Sequence, residues 1–167
     1  KIMKKLFALF IFVFIFDHIS FAQKQENLYF LYRQKQINIT FDYTWFEIHG
    51  VSDTTKKDMI EAFSNIWNDC FIKNLNEELE DTDVTIGNFP DANYTVFVQI
   101  MSFNSVNKMK TIINIIDTET LNERCTFTVY GQGGLVGSSY PNLIKDGMEH
   151  CGENLGEIIE DVFDLDL

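Results

Sequence analysis

Outside its first 22 residues the sequence offers few side chains suited to chemistry: two histidines, His49 and His150, and three cysteines, Cys70, Cys125 and Cys151. A small hydrolase or ligand-modifying enzyme would set one imidazole beside a carboxylate and a nucleophile, each within hydrogen-bond reach. Neither histidine stands in a recognisable motif. His49 falls where a strand pattern gives way to a loop, and His150 directly precedes Cys151 in a helical pattern, where sequence neighbours point to different faces and form no dyad. Gly131-Gln132-Gly133-Gly134 has the glycines of a phosphate-cradling loop but lacks its Gly-Lys-Ser/Thr ending and the dinucleotide spacing, so it reads as a mobile connection. The start of the helix that follows could attract at most a small anion.

The cysteines show no Cys-x-x-Cys or Cys/His spacing, which gives no support to zinc or thioredoxin-like redox chemistry. Two readings stay open: three reduced, buried thiols, or a Cys125–Cys151 bridge. Asp81 and Asp83, and Asp161, Asp164 and Asp166, lack the alternating pattern of a calcium hand and read as solvated acidic ends. No catalytic residue, cofactor or metal is assigned.

What surrounds these residues sets their compartment. Lys4 and Lys5, the apolar run Leu6–Phe16 and the small-x-small Ser20-Phe21-Ala22 make residues 3–22 a secretory signal cut after Ala22. The 11-residue run is shorter than the roughly 20 needed to span a bilayer as a helix, and Asp17 and His18 interrupt it, so no stable membrane insertion is expected after cleavage. Removal of residues 1–22 lowers 13 basic and 25 acidic side chains to 10 and 24, a net charge of −14. That sign argues against nucleic acid, whose binding draws on clustered Lys and Arg. Asn38-Ile39-Thr40 and Asn93-Tyr94-Thr95 fit a glycosylation pattern, discounted because the Asn, Lys, Ile and Phe richness points to a bacterial source.

Residues 23–35 read as an N-terminal arm and 36–167 as one domain. Ile37, Ile39, Phe41, Tyr43 and Trp45 alternate with polar residues, a strand with one wet face. Ser52 or Asp53 caps a helix over about 54–80 in which Met59, Phe63, Ile66 and Cys70 recur beside Trp67, Phe71 and Leu75. Val84 and Ile86 begin a short strand, Tyr94–Phe103 a longer one, and Thr111–Ile116 and Arg124–Tyr130 form a hairpin around Asp117–Asn122. A last helix starts near Pro141, with Gly152 and Gly156 expected to bring it close to the sheet. This order predicts an α+β two-layer sandwich: a four- to five-stranded mixed sheet with two long helices packed on one face. Tyr43, Trp45 and Tyr130 are expected on the exposed side as an interaction surface.

The succession Asn93-Tyr94-Thr95-Val96-Phe97-Val98, Ile115-Ile116-Asp117-Thr118-Glu119-Thr120, Gly131–Gly134 and the helix through Gly156 and Val162 resembles small α/β domains of bacterial periplasmic and outer-membrane lipoproteins. Among these are the penicillin-binding-protein activators, the curli secretion channel and the amino-terminal domain of the Tol periplasmic protein. The likeness covers about 70 residues and includes an Asp-x-x-Thr hairpin. It implies a non-catalytic interaction domain and carries over no functional residue, and the family's usual lipid-bearing cysteine is missing here. Together these readings point to a secreted or periplasmic binding or assembly module of the cell envelope, with another envelope protein or itself as partner. The alternative is a small exported hydrolase using His49 or His150.

Overall fold

The computed structural model describes residues 28–134 and 139–163. The signal expected over 1–22 and the first part of the arm lie outside them. The rest of the arm is anchored: Leu28 and Leu31, around the 3-10 turn Tyr29–Arg33, are both buried.

Period-2 alternation becomes β1 (Gln36–Asp42), which stops earlier than its pattern suggests. Asp42 Oδ1 accepts from Thr44 N (2.9 Å) and Thr44 Oγ1 (2.5 Å), a side-chain turn that diverts the chain before the two-residue β2 (Glu47–Ile48). Ser52 then caps α1 (Asp53–Glu78), its hydroxyl accepting from Thr55 N at 3.3 Å. Next come β3 (Thr85–Gly87), β4 (Tyr94–Phe103), β5 (Lys108–Asp117), β6 (Glu123–Gln132) and α2 (Tyr140–Phe163).

The sheet runs β3-β1-β4-β5-β6, with β2 added beside the end of β4. β1 is parallel to β3 and β4, and β4, β5 and β6 form an antiparallel meander. This is the expected α+β sandwich, enlarged to six strands among the described residues by the short β2. Ile37 and Ile39 of β1, Val96, Val98 and Ile100 of β4, Met109, Ile113 and Ile115 of β5, and Phe127 and Val129 of β6 turn inward. They pack beneath Trp67, Phe71 and Leu75 of α1 and Ile144, Met148, Leu155 and Ile159 of α2. Among the described residues, no buried side-chain N or O lacks a hydrogen-bond partner. Ile66 departs from its expected place and stands 50% exposed.

Glycines decide how closely the layers meet. Gly152 and Gly156 turn toward α1 and not, as expected, toward the sheet. A Cβ on Gly152 would overlap the Phe71 carbonyl, and one on Gly156 would lie 2.9 Å from the Leu75 carbonyl oxygen. The glycine run is also not simply a mobile connection. Gly131 lies within β6, where a Cβ would overlap the Gly147 carbonyl, and a Cβ on Gly133 would come within 2.6 Å of the Leu143 carbonyl oxygen. Bare backbone is what lets α2 sit on β6. Residues 135–138, which follow that run, are outside the described part.

Candidate binding face

Both helices lie on one side and no described helix packs on the opposite face of the sheet, which is closed only at the end where Asn38 and Thr95 are buried and the Phe89 N–H donates to Asn38 Oδ1 (3.1 Å). Cross-strand register organises it into rows. Thr40, Phe97, Asn114 and Thr126 form one, and Asp42, Gln99, Ile112 and Thr128 the next. A hydrogen-bonded rail crosses four strands: the Gln99 amide donates to the Asp42 carboxylate, Asn114 Nδ2 to Gln99 Oε1 (3.1 Å) and Thr126 Oγ1 to Asn114 Oδ1 (2.7 Å). Asn38 Nδ2 donates to Thr95 Oγ1 (3.2 Å), and Thr95 in turn bonds Thr118 (3.0 Å). Between these fixed polar groups, Phe97, Met101, Ile112 and Ile116 stand half-buried and apart from the core. Such a face keeps its polar side chains oriented while leaving apolar surface for a partner to cover.

The three aromatics expected together are separated. Tyr43 belongs to the helix side: its hydroxyl donates to Asn68 Oδ1 of α1 at 2.7 Å, and its ring tilts against Phe46 and Trp67. Burial pushes its phenol well above the usual tyrosine range. Tyr43 shares the parity of Ile37, Ile39 and Phe41, which all face the helices, so the same alternation that was read from the sequence carries it to the helix side. Trp45 is 66% exposed on the turn after Asp42. Tyr130 alone lies on the open face, 45% exposed, with the Lys108 ammonium 4.2 Å from its ring centroid.

The three cysteines are free thiols. Cys151 is buried against Gly131, whereas Cys125 sits six residues earlier on β6, about 20 Å along an extended strand and beyond disulfide reach. Burial pushes Cys151 up to about 12 and Cys125 up to about 11. His49 lies in the loop after β2, and its backbone carries its contacts: N–H to the Phe103 carbonyl (2.9 Å) and carbonyl from the Tyr140 hydroxyl (3.1 Å). His150 Nδ1 faces two acceptors, the carbonyls of Gln132 (2.7 Å) and Asp146 (3.0 Å), which fixes the proton on Nδ1. Its Nε2 is 3.9 Å from Glu153 Oε2, longer than a hydrogen bond. This imidazole ties α2 to the end of β6.

Sequence reasoning missed a recess of about 370 Å³ between the loop Pro90–Tyr94 and the hairpin residues Asp117, Thr118 and Glu119. Asp117 is already committed there, accepting from Thr120 N and Oγ1 (both 2.9 Å) and facing Arg124 (3.7 Å), and the Thr120 N–H and hydroxyl hold its carboxyl below the usual range. The Asp-x-x-Thr spacing is the local signal for that turn. Among the described residues no group of His, Cys, Asp and Glu could hold a metal ion, and no helix is long and apolar enough to cross a membrane.

No protein-family model and no curated protein matches the chain. Among solved structures, the PelC dodecamer from Paraburkholderia phytofirmans is similar over 74% of this chain and 89% of its own, at 8% identity and a TM-score of 0.42. A candidate lipoprotein from Caulobacter crescentus is similar over 87% of this chain and 96% of its own, at 11% identity and a TM-score of 0.34. Protein XCC0632 from Xanthomonas campestris is similar over 79% and 81%, at 7% identity and a TM-score of 0.32.

Proposed function

We propose that this protein is an exported, non-catalytic binding or assembly module of the bacterial envelope, engaging another macromolecule through the open face of its sheet. The observation that carries the reading is that face itself: Phe97, Met101, Ile112 and Ile116 half-buried among a hydrogen-bonded rail of Asp42, Gln99, Asn114 and Thr126. A sheet face left open on one side ordinarily alternates to fully polar. Here apolar side chains interrupt it at four positions on two central strands, where desolvation by a partner is most favourable. Export is supported by the charged start, apolar run and small-x-small exit of residues 3–22.

The test uses a photo-crosslinking amino acid at Met101 or Ile112, with Ile66 on the outer side of α1 as the control, in cells that make the protein. Discrete adducts from the two sheet positions and none from Ile66 are expected. Equal labelling from all three positions, or none from the sheet, rejects the open face as the contact.

A further inference from the structure

The two edges of the sheet are finished differently. At β3 the outward backbone of Ile86 is fully occupied by one side chain of α1: Asn76 Nδ2 donates to the Ile86 carbonyl (2.7 Å) and Asn76 Oδ1 accepts its N–H (2.9 Å). At β6 the carbonyls of Tyr130 and Gln132 accept from Asn154 Nδ2 (2.6 Å) and His150 Nδ1 (2.7 Å), both reaching over from α2. These bonds fix the phase of the strand, because residues whose carbonyls face α2 cannot also point them at β5. Consistent with that phase, Val129 turns its carbonyl to Thr111 of β5, and Gly133 its N–H to the Asn107 carbonyl. Beyond the register irregularity at Arg124, outward N–H and C=O therefore belong to Thr126, Thr128, Tyr130 and Gln132. Helix α2 takes up the carbonyls of the last two, and no hydrogen bond among the described residues reaches the outward backbone of Thr126 and Thr128.

We propose that this gap is a self-pairing edge: β6 strands of two copies join antiparallel about a two-fold axis, Thr126 of each opposite Thr128 of the other, making one continuous sheet. The pairing goes beyond the open-face reading and holds whatever that face binds. Three features specify a second copy. The register is self-complementary, since each threonine pair exchanges two N–H···O bonds and places like side chains together. From Cys125 to Gly131 the strand, Cys-Thr-Phe-Thr-Val-Tyr-Gly, carries no charge in a chain of net charge −12, so two acidic molecules meet where neither presents a carboxylate. Finally, the stretch has none of the Lys, Pro or inward charge that ordinarily blunts an edge, while helix side chains take up both outward groups of Ile86 on the other edge and the carbonyls of Tyr130 and Gln132 farther along this one.

Sedimentation velocity and amide exchange on the exported protein, over roughly two decades of concentration, provide the test. A dimer is expected, tightening as salt screens the net negative charge, with the Thr126 and Thr128 amides exchanging at least about tenfold more slowly at the high end. Thr128→Pro removes an outward donor without touching a bond to β5 and should give a folded monomer. Thr126→Lys should do the same by charge and serves if the proline variant fails to fold. A monomer with fast exchange at both threonines throughout, or a dimer that persists in both variants, overturns the proposal. So does a monomer protected there only when an extended Thr/Val peptide is added, which would assign the edge to another chain.

Discussion

Leu121 is the clearest case of a residue working against its own backbone. It sits at φ 58 in the β5–β6 hairpin and is 72% exposed, so it carries the left-handed penalty of a branched side chain without burying it. Leu121→Asn should raise stability by about 1 kcal/mol, read as a higher urea midpoint with an unchanged slope. Gly152 is its opposite, a residue that cannot grow. Gly152→Ala puts a methyl group into the Phe71 carbonyl and must part the helices, at a cost of about 1–3 kcal/mol by the same measurement. The sequence showed that Gly152 and Gly156 permit a close approach. Whether the neighbour was sheet or helix depended on the rotation of α2, which its apolar residues alone left open because both faces of the stripe are buried.

At the scale of elements, strand and helix patterns were legible where one face is wet and one dry. β4 and α2 follow their period-2 and period-3.6 residues closely. β1 did not run on to Trp45, because the Asp42–Thr44 bonds outcompete a polar-apolar alternation that nothing on the far side enforces. Tyr43 leaves the expected binding surface for another reason: it shares the parity of Ile37 and Ile39, whose face is the one the helices cover. Side-chain clamps between elements were invisible in the sequence, since Asn76 and Ile86 are ten residues apart with no local pattern joining them. Asn76→Ala leaves both Ile86 backbone groups without that partner and should cost about 1–3 kcal/mol. Amide exchange confined to β3 should accelerate while that of β4 and β5 keeps its order.

For the molecule as a whole, two families of titrating groups bound the pH range of stability. Cys151 and Cys125 are raised by burial from 9.0 to about 12 and about 11, so above pH 9 the unfolded chain releases protons that the folded chain retains, and stability falls as pH rises. Asp42 and Asp117 are held below 3.8 by their turn hydrogen bonds, so their contribution is present above that value and is lost as acid protonates the folded carboxylates. Urea midpoints should be flat through neutrality and decline at both ends, and Cys151→Ala should shallow the alkaline limb alone. The sequence by itself determined the class of fold, the apolar stripes, the acidic balance and the expectation of export, because each follows from local periodicity or composition. Tertiary structure alone decided which face of the sheet stays open, which aromatics reach it and which edge groups go unpaired. Those outcomes depend on contacts between residues far apart in the chain: the Tyr43 hydroxyl held by Asn68 of α1, and helix side chains that take up the carbonyls of Tyr130 and Gln132 on β6.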